Sequence, residues 1–274
     1  MSVLAPRVSV IVPTYGRPEY LSEALQSIAM QTEPAFECIV VDDGSEVPAR
    51  LPFLDSRFRL VRHHSNRGVA AARNTALRAA TAEYVAFLDD DDLWSPTRLE
   101  EALRRATPDA VVVCAVGRVG SSRIDVPKLR PPLAETILES SPPSLGAVLV
   151  PRQICPEFDT RYEACEDLDW WLKLAPIVHP VVTTDVGWLW RRHDGPRGAV
   201  GTQARIDGSL QLLVDHSRYF KAQPAAEAFR WVRIGWLARA SGDHKMMLRA
   251  ATKSIRSYPR VRTLARAARV VIGR

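Results

Sequence analysis

The sequence predicts an α/β fold: a mostly parallel, Rossmann-like sheet flanked by helices, followed by a C-terminal helical extension. Three observations carry this. Short apolar runs alternate with segments of helical periodicity through the first half of the chain. Polar clusters follow the first, second and fourth of those runs, where the loops of an open parallel sheet gather. After about residue 205 the pattern is helical almost to the end, broken only around Ser241 and Gly242. We therefore expect a catalytic or binding domain over 1–204 and a helical region with a basic tail over 205–274.

The elements follow in order. Short apolar stretches place strands at Val8 to Val12, Glu37 to Val41, Arg59 to His63, Tyr84 to Leu88 and Ala110 to Ala115, as expected of a parallel sheet with crossover helices. Leu21, Leu25 and Ile28 recur at helical spacing, as do Val69, Ala72, Ala76 and Ala80. Ser95 and Pro96 read as the N-cap and first position of a helix continuing through Leu99 and Leu103. Gly120 to Pro143, rich in Pro, Ser and Arg, reads as a long surface connection, and Leu145 to Val150 returns the chain to the sheet. Leu168, Trp171, Leu172 and Ala175 mark a further helix.

Composition excludes several classes. With 46% hydrophobic residues in 274, the chain can bury a proper core and is not disordered. The chain passes directly into Arg7–Val12 with no charged leader or long apolar span, so a cytoplasmic location is expected. Cys38, Cys114, Cys155 and Cys165 are far apart, which suits reduced thiols rather than disulfides or a zinc site. The net charge of +6 is uneven: residues 1–100 hold 10 Lys and Arg against 14 Asp and Glu, so the remainder is +10. That basicity belongs to a tail and not to a groove, which argues against nucleic acid as a partner.

The chemistry concentrates at Asp89, Asp90, Asp91 and Asp92, at the end of the fourth strand. Adjacent carboxylates repel and raise one another's pKa, so a cation is expected beside them, and oxygen-only ligands favour magnesium or manganese. A solvated acidic turn is the alternative. After the first strand come Pro13, Thr14, Tyr15, Gly16 and Arg17, where the ring can stack on a base and the guanidinium can face a phosphate. After the second come Asp42, Asp43, Gly44 and Ser45.

These motifs resemble the family-two glycosyltransferases of the GT-A fold. The resemblance runs over roughly 7–195 and rests on Val8-Ser-Val-Ile-Val-Pro-Thr-Tyr15, Val40-Val-Asp-Asp-Gly-Ser45, Asn66 to Asn74, Phe87-Leu-Asp-Asp-Asp91 and Glu166-Asp167. It implies an inverting transfer of a sugar from a nucleotide diphosphate sugar to an acceptor hydroxyl. Pro13 and Tyr15 would then line the base pocket and Asp43 would accept from the base imide. Asp90 would meet the ribose or metal shell, and Asp91, with Asp89, would ligate a divalent manganese or magnesium ion bridging the diphosphate.

An alcohol needs a base to take its proton. Glu166 and Asp167 precede the helical stripe, and the resemblance makes Asp167 that base; capping the helix is the other reading of it. His193, in Trp190-Arg-Arg-His-Asp-Gly195, would reach the metal or diphosphate, with Arg191, Arg192 and Arg197 around the departing nucleotide, or else is a surface histidine. Arg73 faces phosphate or pairs with an acidic helix neighbour, and His63 and His64 look structural or solvent-facing.

Two other functions compete: a sugar-phosphate nucleotidyltransferase, disfavoured because no early Gly-rich loop is present, and a non-catalytic nucleotide-sugar-binding subunit. The hydroxyl acceptor is a glycan, a lipid-linked sugar or a small molecule. Helical from Arg260, the tail would place Val261, Leu264, Ala265, Ala268, Val271 and Ile272 on one side and Arg262, Arg266 and Arg269 toward the other. That stripe either packs as a closing helix or makes residues 260–274 a peripheral contact with the inner face of the membrane.

Overall fold

The computed structural model describes residues 5–192 and 200–273. Its elements run β1 Val8–Thr14, α1 Pro18–Ala29, β2 Phe36–Asp42, β3 Phe58–Arg62, α2 Val69–Ala79, β4 Tyr84–Phe87, β5 Leu93–Trp94, α3 Arg98–Leu103, β6 Ala110–Arg118 and β7 Ser121–Asp125. There follow α4 Leu133–Thr136, β8 Val148–Pro151, α5 Glu166–Leu174, β9 His179–Trp190, α6 Thr202–Asp215, α7 Ser217–Ala222, α8 Pro224–Ala240, α9 His244–Ser257 and α10 Val261–Ile272. Contacts divide the chain into two units. The first comprises Met1–Leu129, Pro143–Thr160 and Lys173–Asp194, and the second Arg130–Pro142, Arg161–Leu172 and Gly195–Arg274.

The first unit is one sheet in the order β3-β2-β1-β4-β8-β6-β9-β5, with β7 beside β6. β3, β2, β1 and β4 are parallel to one another, as the apolar runs of β1, β2 and β4 predict, whereas β3 is an edge strand with Arg59, Leu60 and Arg62 exposed. β8 then enters antiparallel to both β4 and β6, and β9 runs parallel to β6. The sheet is thus parallel in its first half and mixed in its second. Val8, Val10, Ile11, Val12, Cys38 to Val41 and Val85 to Leu88 are all buried, and the alanine face of α2 covers β1 and β2.

Two expectations are corrected. Gly120 to Pro143 is not simply a loop: Gly120, at φ +75, turns the chain so that β7 pairs back along β6, and α4 follows. Ser95 does not cap α3, which starts at Arg98 behind Thr97. Leu93 and Trp94 are drawn into pairing with β9 instead, and the next residues make a turn closed by Arg98 N–H on the Ser95 carbonyl, 3.1 Å. Tertiary pairing outweighs the local capping signal.

The second unit is helical. Ile206 of α6, Trp231, Val232, Ile234 and Ala238 of α8, Met247 and Ala250 of α9 and Val270 of α10 form its core. Arg239 donates to the Val270 and Val271 carbonyls, 3.2 and 2.8 Å, and so closes the end of α10. The start of α5 is set by Cys165, at φ +72, whose carbonyl accepts from Leu168 and Asp169 N–H.

Gly208 of α6 faces the Ala164 carbonyl so closely that an added Cβ would lie 2.3 Å from that oxygen. In an open helix Gly→Ala stabilises by about 1 kcal/mol. Here backbone blocks the methyl, and we expect Gly208→Ala to destabilise by about 1–3 kcal/mol, read as a lower urea midpoint. A raised midpoint would show that α6 slides off this segment freely.

Candidate functional site

The sheet carries the loops that follow β1, β2 and β4 together at its carboxyl edge. Asp43 N–H donates to the Thr14 carbonyl, 2.9 Å, and Gly16 N–H to Ser45 Oγ, 2.9 Å, which ties the first two loops together. Gly44, at φ +77, could not be replaced: a Cβ would sit 2.4 Å from the Ser65 backbone. Pro13 is buried opposite Val41, and Tyr15 is 45% exposed with its ring free to receive a planar ligand.

Asp42 is fully buried and accepts from Ser45 N–H, Ala49 N–H and Arg62 at 2.9–3.0 Å. Burial pushes its pKa up, but those donors outweigh burial and hold it below the ordinary carboxylate value. Asp43, 4% exposed, accepts from His63 Nδ1 at 2.6 Å and from the N–H groups of Arg67 and Gly68. His63 in turn meets Thr75 Oγ1 at 2.9 Å, so it orders this loop, whereas His64 is exposed. Sequence reasoning did not connect His63 with Asp43. The signal lay in register: Asp42 pairs with Arg62, which sets the next two residues side by side.

Each member of the acidic run has its own environment. Asp89 takes Arg73 Nη2 at 2.8 Å, and that guanidinium stacks over Phe158, 5.3 Å from the ring centre. Arg73 therefore pairs with the acidic run. Asp90 accepts from Thr14 Oγ1 at 2.7 Å and from Arg17 at 3.1 Å, and the same Arg17 nitrogen lies 2.8 Å from Asp91. Burial lifts Asp90 to about 6 against the Thr14 and Arg17 contacts, with the neighbouring acids adding to the rise. Asp92 is a structural acceptor: Trp188 Nε1 lies at 3.0 Å and Arg191 N–H at 2.8 Å, and burial raises it to about 8 despite both donors.

Among the described residues no three His, Cys, Asp or Glu side chains converge as a metal cage. The arrangement fits the manner in which magnesium or manganese is held by one or two carboxylates together with substrate phosphates, with Asp91 and Asp89 as the oxygen donors. His193 and Arg197 lie outside the described residues. Arg191, expected near the nucleotide, pairs with Glu23 and stacks over Tyr20.

Asp167 lies in the second unit, half-buried in the first turn of α5, where Asp167 Oδ1 accepts from Leu168 N–H at 2.9 Å. The stripe beneath it is buried as the periodicity predicts, with Trp170 and Trp171 in edge contact at 5.3 Å. Asp169, on the same helix, accepts from His216 Nε2 at 2.8 Å.

The raised values of Asp90 and Asp92 set a pH dependence. Between the unfolded value near 4 and these folded values, the native chain binds protons that the unfolded chain has released, so stability falls as pH rises. We expect the thermal midpoint of the metal-free chain to decline between about pH 4 and pH 8, and to decline less in Asp92→Asn. Equal slopes would mean that Asp92 is ionised in the native state throughout.

Comparison with known proteins agrees with this geometry. Residues 9–149 match the family described as glycosyl transferase family 2. The UDP-Glc:alpha-D-GlcNAc-diphosphoundecaprenol beta-1,3-glucosyltransferase WfgD of Escherichia coli is 41% identical over 96 residues, 34% of this chain and 38% of that protein. The chain thus aligns with about two-fifths of that relative's length. Staphylococcus aureus TarS 1-349 in complex with UDP-GlcNAc superposes with a TM-score of 0.63 at 18% identity, covering 98% of this chain and 92% of that one. The Pyrobaculum calidifontis mannosyltransferase PcManGT in complex with GDP-Man and Mn2+ gives 0.57 at 24%, covering 96% and 79%. The two structures establish a shared GT-A fold; and because the family match spans more than half of the chain and includes all three strand-end loops, the protein belongs to glycosyl transferase family 2.

Proposed function

We propose that the protein transfers a sugar from a nucleotide diphosphate sugar to an acceptor hydroxyl, in one in-line displacement that inverts the anomeric carbon. The observation that carries this reading is the convergence of Thr14, Arg17 and Arg73 on Asp89–Asp91, beside an exposed aromatic ring and the Asp43 loop. Tyr15 stacks on the base, Pro13 lines its pocket through the backbone, and Asp43 accepts from the base imide. Asp90 serves the ribose or the metal shell. Asp91 and Asp89, with His193, would hold a manganese or magnesium ion, which would supply positive charge to the departing diphosphate. Arg17 and Arg73, at present on carboxylates, are the cations that a donor diphosphate would engage.

Asp167 is the base in this reading. The acceptor oxygen bonds to the anomeric carbon as the bond from that carbon to the diphosphate oxygen breaks, and the hydroxyl proton passes to the Asp167 carboxylate. The donor complexes of TarS and PcManGT support a nucleotide-sugar donor, and the manganese of PcManGT supports a divalent ion. WfgD, whose acceptor is diphosphoundecaprenol-linked, supports a lipid-linked glycan as acceptor.

Calorimetry with UDP- and GDP-sugars tests the donor site: binding in manganese should be lost in EDTA and in Asp91→Asn. Asp167→Asn should bind donor within a few fold of wild type yet turn over about 100-fold more slowly. Metal-independent donor binding, or near-normal turnover in Asp167→Asn, would remove those roles.

A peripheral contact with the inner face of the membrane is part of the same proposal. α10 turns Thr263, Ala267 and Val270 inward and leaves Val261, Leu264, Val271 and Ile272 exposed, so the apolar stripe expected to share one side faces solvent. Arg260, Arg262 and Arg269 flank it, and each basic residue at an anionic surface is worth roughly 1 kcal/mol. No helix among the described residues is long and apolar enough to cross a membrane. In liposome co-sedimentation, anionic vesicles should pull down the full chain, less so at high salt, and Leu264→Ser/Ile272→Ser should stay in the supernatant. Equal sedimentation of both would exclude the stripe.

A further inference from the structure

Arg230 of α8 is 5% exposed, yet its guanidinium makes no hydrogen bond or ion pair among the described residues, and its Nε is buried without an acceptor. A buried cation left without an anion is costly, and such groups are kept where a ligand supplies the missing charge. The surroundings are built. Ala164 is backed by Gly208, Cys165 Sγ lies 3.5 Å from Ser209 Oγ, and Asp167 and Tyr219 are within electrostatic reach of the guanidinium. Arg233, exposed and three residues on, adds a second positive charge to that side of α8. Burial lowers the pKa of Arg230, with Arg233 acting in the same direction, as expected of a cation that lacks a counter-ion.

We propose that Arg230, with Arg233, binds a phosphate group carried by the acceptor, which makes the acceptor a phosphate- or diphosphate-linked sugar or polyol and not a neutral glycan. The proposal rests on the reading of Asp167 as the base, because it seats the acceptor's anionic group beside that carboxylate. A guanidinium fork matches two phosphate oxygens, so recognition is both electrostatic and geometric.

The full chain in EDTA, where the donor site lacks its cation, can be titrated calorimetrically with inorganic phosphate and with inorganic pyrophosphate. Wild type should bind, Arg230→Met should bind at least about 10-fold more weakly, and Arg230→Lys should retain part of the affinity. Asp91→Asn and Asp167→Asn should bind no more weakly than wild type. Tighter pyrophosphate binding assigns a diphosphate linkage and tighter phosphate binding a monoester. Thermal unfolding of each variant reports its fold, and should Arg230→Met not fold, Arg230→Gln and Arg233→Met carry the comparison. Absence of binding to wild type, unchanged affinity in the arginine variants, or equal loss in Asp91→Asn overturns the proposal. Failure of the transferase reading appears separately, as absent nucleotide-sugar binding in manganese, and leaves this titration interpretable.

Discussion

Neutralising the acidic run at the end of β4 is the constraint on which the sheet-bearing unit depends. Adjacent carboxylates cannot be packed against a core without compensation, and here the run draws in three separate elements. Arg17, bridging Asp90 and Asp91, joins the β1–α1 loop to the run, while Arg73 fastens α2 to Asp89. Asp92 takes the Trp188 indole and the Arg191 backbone, which brings in the end of β9. Electrostatic repair and construction of a ligand-facing surface are therefore the same set of contacts.

A second acidic pair extends the arrangement. Asp42 spends its oxygens on the loop after β2 and on Arg62, and Asp43 spends its own on His63 and the turn at Arg67 and Gly68. Both are thereby rigid, and a rigid first contact is what a binding surface requires. Gly44 permits this closeness because a side chain there would collide with the Ser65 backbone. The helical unit uses small residues in the same way: Gly208 lets α6 approach the segment leading into α5, and Gly235 lets α8 approach Val270 of α10, where a Cβ would come within 2.8 Å. Arg230 remains as a buried cation that packing alone does not explain.

The sequence by itself determined the class of fold, its first five long strands, its principal helices and the positions of the carboxylates, because these depend on local periodicity and on the rule that polar clusters follow strands. What each polar group touches was decided only in three dimensions. Ser95 reads as a cap until β9 claims its neighbours; Gly120 to Pro143 reads as a loop until β6 offers an edge to pair with. His63 is legible as Asp43's partner only through the register of β2 with β3, and Arg73 as Asp89's only through the packing of α2 on the sheet. The tail's amphipathic stripe is evident in the order of residues, but that Thr263, Ala267 and Val270 turn inward while Val261, Leu264, Val271 and Ile272 face solvent was decided by the packing of α10 on α8 and α9. Periodicity records which residues share a face; long-range pairing and steric fit choose what that face meets, and those depend on residues far apart in the chain.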